Sequence, residues 1–203
     1  IKNDIISIQE KKIDFKFVSK PIVIYGDSGS GKSTYLKKII GLTGSQKLDC
    51  CCIYSNELEK KIISLVDLKG YFISQEVVAL KTNLKEYLSY YSDIKSKNIN
   101  NLFEWNKKYK LLWSDVDNFD KWINSDLSKA SYGELKRLKL LKAYLSDSNW
   151  IALDEPTSGL DSLSVLNVIN AINDLSKKKI LFVCTHEKKL IEKSSISILV
   201  SSI

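Results

Sequence analysis

Methionine is absent from all 203 residues, even from position 1, which is compatible with a trimmed chain or a domain cut from a longer protein. No apolar run approaches the ~18 residues that would span a bilayer, and no signal peptide is visible. Any membrane role is therefore expected to be peripheral or to run through another chain. Cysteine occurs 4 times, as Cys50, Cys51, Cys52 and Cys184. There is no C-x-x-C pair, and neighbours on a strand point to opposite faces, so the triplet does not have metal-site spacing. Three cysteines in a row are also a poor disulfide framework. They read as small apolar strand residues in a reducing cytoplasm. Histidine occurs once, at His186. Internal repeats, low-complexity segments and long linkers are missing. The net charge of +7 is spread along the chain, so clusters such as 176–180 read as solvated helix faces. Charge alone gives little reason to expect nucleic acid, and a membrane surface or a phosphate ligand fits it equally well.

The length suits one sizeable domain with room for a subdomain. Residues 4–8 and 13–18 alternate apolar and polar and are joined by the polar stretch 9–12, which predicts a hairpin. Continuous apolar runs at 21–25, 150–154, 180–186 and 196–200 predict buried strands, and 50–55 and 70–75 are further candidates. Residues 33–41 fit a helix closed by Gly41, and 162–175 carry helical spacing. Between 83 and 147 helical periodicity dominates and strand signal is weak. Buried strands alternating with helices predict an α/β fold with a mostly parallel sheet, a small antiparallel hairpin at the N-terminus and an inserted helical subdomain. The expected division is a core of 1–80 and 148–203 around a helical subdomain of about 81–147.

The stretch Gly26-Asp27-Ser28-Gly29-Ser30-Gly31-Lys32-Ser33 matches G-x-x-x-x-G-K-[ST] between a predicted strand and a predicted helix. Glycines let the backbone curl so that successive N–H groups, continued by Thr34, point at phosphate oxygens. The helix N-terminus adds partial positive charge. Lys32 reaches the terminal phosphates, and Ser33 offers its hydroxyl to Mg²⁺. A second stretch, residues 152–161, puts Asp154 and Glu155 directly after a buried strand. Burying adjacent carboxylates is costly unless a cation or donor compensates. Asp154 reads as a ligand of Mg²⁺, direct or through water. Glu155 reads as the base for an attacking water. As a helix N-cap, Asp154 would compete with the closer candidates Thr157, Ser158 and Asp161.

With these motifs in hand, the chain resembles the nucleotide-binding domain of ATP-binding-cassette (ABC) proteins over nearly its whole length. Gly26–Ser33 matches Walker A, Gln75 the Q-loop, Ser131-Tyr132-Gly133-Glu134 the signature motif, and Asp154 and Glu155 Walker B. Asp161 in 158–161 matches the D-loop, and His186 the switch histidine. The resemblance implies a Mg·ATP-hydrolysing enzyme with Glu155 and His186 catalytic and Ser33, Gln75 and Asp154 at the metal. It implies a head-to-tail homodimer or heterodimer on ATP binding, in which Ser131, Tyr132, Gly133 and Glu134 act on the partner's nucleotide. It also implies a transmembrane transporter partner and a place at the inner face of the cell membrane. The aromatics Tyr87, Tyr90, Tyr91, Trp105, Trp113 and Trp122 could line a docking groove or fill the subdomain core. A soluble ABC ATPase acting on nucleic acid or ribosomes is the second reading. A P-loop small-molecule kinase is the third, but it leaves the signature and His186 without a reason.

Two departures stand out. Tyr132 replaces a glycine of the signature, and Glu134 adds negative charge beside it. The family's adenine-stacking aromatic is missing from the hairpin tip, where Lys11 and Lys12 are the nearest substitutes; Phe15 and Phe17 read as core. Base–aromatic stacking is worth roughly 1–3 kcal/mol, or about one to two decades of affinity. The isolated chain is thus expected to bind ATP weakly and to distinguish it from GTP by less than about tenfold. Competition at equal Mg²⁺ checks this, and a larger preference would mean that other residues read the base.

Overall fold

The structure, a computed structural model, describes residues 12–16, 20–42, 49–56, 59–65, 68–89 and 99–200. Residues 4–8, the first half of the expected hairpin, lie outside the described residues, as do Lys11, Phe17, Tyr90 and Tyr91. The chain divides into two compact units. The first comprises Ile1–Ile73, Ser148–Glu155 and Asn173–Ile203; the second comprises Ser74–Asp147 and Pro156–Ile172.

The first unit is built on a 5-stranded sheet. Its strands are β2 (Ile22–Tyr25), β5 (Gly70–Ile73), β6 (Trp150–Asp154), β7 (Ile180–Cys184) and β8 (Ile196–Leu199), in the order β5-β6-β7-β2-β8. Every pairing in it is parallel. Parallel central strands are covered on both faces, which is why β6 and β7 read as unbroken apolar runs and are buried throughout. Ile24 and Asp154 both pair with Cys184, so the strands end together and deliver the segments 26–33, 155 and 185–186 to one edge. Helix α1 (Lys32–Ile39) packs its Leu36 and Ile39 into the core formed by Ile22, Ile24, Trp150, Ala152 and Phe182. Each large side chain of this kind contributes roughly 1.5–3 kcal/mol on full burial. Helix α1 closes at Gly41, whose amide donates to the Lys38 carbonyl at 3.2 Å.

A separate 3-stranded sheet holds β1 (Lys12–Lys16), β3 (Asp49–Asn56) and β4 (Glu59–Ser64) in the order β1-β3-β4. Here β1 runs parallel to β3, and the antiparallel pair is β3 with β4. Strand β4 was not anticipated, because Glu59, Lys60 and Lys61 hide any apolar alternation.

The second unit contains α2 (Leu84–Ser89), α3 (Ile99–Tyr109), α4 (Phe119–Ile123), a 3-10 turn at Leu127–Lys129 and α5 (Tyr132–Leu145). Most of α6 (Ser162–Leu175) belongs to it. Trp105 and Trp122 are core residues, 5% and 0% exposed. Trp122 lies 5.2 Å from the Phe103 ring, and Trp105 lies 4.7 Å from Tyr144. The buried Asn106 exchanges hydrogen bonds of 2.8 Å with the backbone of Leu112, whose carbonyl also accepts from the Trp122 indole at 3.1 Å. No helix of the described residues is long and apolar enough to cross a membrane.

Candidate functional site

The loop between β2 and α1 has the backbone of an anion cradle. Gly26 and Gly31 have φ of 152° and 91°, values that side chains disfavour. A Cβ on Gly26 would meet the Val200 carbonyl oxygen at 2.2 Å, so only glycine fits. Asp27, Ser28 and Gly29 form an exposed tip, and Thr34 is exposed in the first turn of α1. The Ser30 hydroxyl is buried with no hydrogen-bond partner among the described residues. An orphaned buried hydroxyl is costly, and an anion in the loop would satisfy it. The first N–H groups of α1 likewise have no acceptor within the helix.

Lys32 and Ser33, the first two residues of α1, meet the two carboxylates. Ser33 Oγ donates to Asp154 Oδ1 at 2.8 Å. Lys32 Nζ donates to the carbonyls of Gly26 and Asp27 at 3.1 and 2.9 Å and lies 3.8 Å from Glu155 Oε1. Alternation along a strand would send Asp154 and Glu155 to opposite faces. Glu155 instead takes a left-handed φ of 47° while its amide continues the ladder to the Cys184 carbonyl at 2.9 Å. Backbone strain of this kind costs about 1–3 kcal/mol, and here it accompanies the convergence of both carboxylates on α1. His186 Nδ1 lies 3.1 Å from Glu155 Oε2, and its side chain is 68% exposed. Cys184 is fully buried, and its thiol donates to the Lys32 carbonyl. Burial, reinforced by Asp154 and Glu155, pushes that thiol's pKa up, so it packs rather than reacts.

Lys32, Asp154 and Glu155 are 7%, 6% and 8% exposed. Two buried carboxylates thus share the site with one ammonium, which pairs with Glu155 while Asp154 accepts from Ser33, a balance that suits a further cation. Among the described residues no group of 3 or more His, Cys, Asp or Glu could hold a metal. Ser33 and Asp154 supply two hard oxygens, a partial set that suits Mg²⁺ completed by phosphate oxygens and water.

The remaining residues singled out in the sequence fall in the second unit. Gln75 is exposed, in a stretch without regular structure that follows Ile73. Ser131 caps α5 in a full capping box with Glu134. The Ser131 amide and hydroxyl both donate to Glu134 Oε2 at 2.8 Å, and the Glu134 amide donates back to the hydroxyl at 3.3 Å. The negative charge expected to intrude on the signature is therefore occupied as a helix cap. Ser131 to Glu134 reads S-x-x-E, a signal that could have revealed this role from the sequence. Tyr132 is 56% exposed, with its ring 3.7 Å from where a Cβ on Gly159 would stand. A Cβ on Gly133 would meet Leu160 at 3.3 Å. Asp161 Oδ1 accepts from the amides of Leu163 and Ser164 at 3.0 Å each. Hydrogen bonds from Ser164, side chain first and then backbone, hold its carboxyl below the usual range. Asp161 thus caps α6, leaving Asp154 free of that task. Sequence reading missed Lys136 and Lys139 of α5, whose ammonium groups grip Ser158 and the Gln75 segment.

Comparison with known proteins agrees with this chemistry. The sequence profile described as "ABC transporter" matches residues 11–158. The lipoprotein-releasing system ATP-binding protein LolD of Buchnera aphidicola subsp. Schizaphis graminum is 30% identical over 198 residues, covering 94% of this chain and 82% of LolD. The phosphate import ATP-binding protein PstB of Borreliella burgdorferi is 27% identical over 190 residues, covering 86% of this chain and 70% of PstB. Among solved structures, a chain in the complex of archaeal ribosomal stalk protein aP1 with ribosome recycling factor aABCE1 superposes with a TM-score of 0.62 at 25% identity. That match covers 87% of this chain and 31% of the other. The α/β architecture, the phosphate loop and these relatives together show that the chain belongs to the ABC transporter family, as an ATP-binding ATPase.

Proposed function

We propose that the chain binds Mg·ATP, pairs head-to-tail with a second cassette around two nucleotides, hydrolyses ATP and drives a membrane-spanning partner from the inner face of the cell membrane. The observation that carries this reading is the start of α1, where the half-buried Ser33 meets Asp154 and the buried Lys32 meets Glu155, which lies 3.1 Å from His186. Glu155 accepts a proton from the attacking water. Lys32 is already desolvated, so its charge acts at full strength on the γ-phosphate. With Nδ1 lying beside Glu155, His186 has Nε2 to offer the γ-phosphate. Ser33 and Asp154, with Gln75, would hold Mg²⁺, which when bound would supply charge neutralisation for the triphosphate. Ser131 and Gly133 would face the nucleotide of the opposite cassette, and Asp161 the facing subunit. The division of labour follows a core of 1–80 and 148–203 and a helical subdomain of about 81–147.

LolD and PstB, named for lipoprotein release and phosphate import, support the transport role. The likeness to a chain of that ribosome recycling factor complex favours a second reading, an ATPase acting at the ribosome. Cell fractionation of the full-length protein in Mg·ATP separates the two. Sedimentation with membranes is expected, and sedimentation with ribosomes from membrane-free extract would overturn the transport role.

A further inference from the structure

The stretch from Ser74 to Thr82 lacks regular secondary structure and is exposed at Ser74, Gln75 and Glu76, so its backbone carbonyls are free of helix or strand ladders and open to water or to side-chain donors. Lys139, in the middle of α5, meets two of them. Its Nζ donates to the carbonyl of Ser74 at 2.8 Å and also to that of Glu76. These are the residues on either side of Gln75. An ammonium has three donors and no acceptor, so one lysine can bridge both carbonyls and fix the peptide planes around the residue between them. The Gln75 side chain stays exposed and available. Three residues earlier on the same helix, Lys136 is 5% exposed and donates to both the carbonyl and the hydroxyl of Ser158. Ser158 opens the 158–161 loop that ends in Asp161. Residues i and i+3 share a helix face. One face of α5 therefore holds two loops, which follow β5 and β6 in the sequence, while Ser131 caps its N-terminus.

We infer that Lys139 is a positioning residue, which holds Gln75 in register with the signature helix α5 by bridging the Ser74 and Glu76 carbonyls, and that Lys136 does the same for the Asp161 loop. A lysine that served only solubility would keep its ammonium in water. Lys139 is instead half-buried with its ammonium on two backbone carbonyls, and partial burial holds that ammonium below the usual lysine range. Such desolvation is tolerated when carbonyls replace the lost water. The arrangement makes α5 rigid with both loops, so a displacement of the signature is transmitted to Gln75 and to Asp161. The catalytic consequence rests on the proposed role of Gln75; the mechanical clamp does not.

The test uses Lys139→Ala, Lys139→Gln and Lys139→Arg, alone and with Gln75→Ala. Hydrogen exchange without nucleotide reads the clamp directly. Lys139→Ala and Lys139→Gln should speed exchange in the peptide spanning 74–80, with the melting temperature and exchange of the rest of α5 unchanged. Lys139→Arg should restore protection, because a guanidinium also presents several donors. Wild-type exchange in both the alanine and glutamine variants overturns the inference. Turnover should fall about tenfold in Lys139→Ala, the scale of losing charge-assisted hydrogen bonds. KM and the affinity for a fluorescent nucleotide should hold, and the loss should vanish in the Gln75→Ala background. Additive losses would overturn the link to Gln75. If Gln75→Ala alone hydrolyses ATP at the wild-type rate, the role given to Gln75 fails, and hydrogen exchange still decides whether the clamp exists.

Discussion

Replacing Glu155 by glutamine is expected to slow phosphate release by about 10²–10⁴-fold, the contribution of a positioned general base, while nucleotide binding survives. Glutamine matches the size of glutamate, and its carbonyl oxygen can still face Lys32, 3.8 Å away in the wild-type protein. It cannot take a proton from water. The substitution also removes one of two carboxylates buried around a single ammonium, so the folded protein should not be destabilised by an uncompensated charge. Under the proposed head-to-tail pairing, ATP that persists at the interface stabilises the dimer by mass action. Gel filtration in Mg·ATP should then show a dimer for Glu155→Gln and mainly monomer for the turning-over wild type. Phosphate release at the wild-type rate would place the base elsewhere, and His186, 3.1 Å from Glu155, would become the first residue to examine.

The parts of the site legible in the sequence were those set by local spacing. The phosphate loop is one continuous stretch whose glycine positions answer to backbone φ, and a strand before it with a helix after it is a pattern visible from periodicity. The buried strands β2, β6 and β7 were legible for the same reason. The contacts that unite the site were not. Asp154 and Ser33 are separated by 121 residues, and no local pattern encodes their meeting. The left-handed turn at Glu155 is carried by a residue type that does not ordinarily signal it. Nothing in the sequence singles out Lys136 and Lys139, because what each side chain touches lies 22 and 65 residues away. The parallel pairing of β1 with β3 depends on a strand more than thirty residues downstream, whereas sequence reasoning favours the nearest partner. Glu134 is the opposite case. Its role was encoded three residues away in Ser131, but its charge drew attention from its position.

Lys32→Ala should weaken binding of a fluorescent ATP analogue by about one to two decades, the equivalent of charge-assisted hydrogen bonds worth roughly 1.5–3 kcal/mol. In the structure Lys32 is held between the Gly26 and Asp27 carbonyls and Glu155. Its ammonium is therefore dehydrated and aimed before any ligand arrives, and little further ordering is needed when a phosphate is bound. Alanine removes the charge but leaves the loop backbone, the N-terminus of α1 and the Ser33–Asp154 pair. Diphosphate affinity should accordingly fall less than triphosphate affinity, because the distal phosphate depends most on the side chain. The variant also leaves Glu155 buried without its ammonium, a loss that costs about 3–5 kcal/mol when a buried pair is broken. The melting temperature should therefore drop, and the titration must be run where circular dichroism shows the protein folded. Pairing Lys32→Ala with Glu155→Gln separates the two effects. The second substitution removes a stranded carboxylate and should recover stability, whereas triphosphate affinity should stay low, because no positive side chain has returned to the loop. If the double variant recovers affinity together with stability, the weak binding of Lys32→Ala is a folding defect and the phosphate contact is made by the backbone alone.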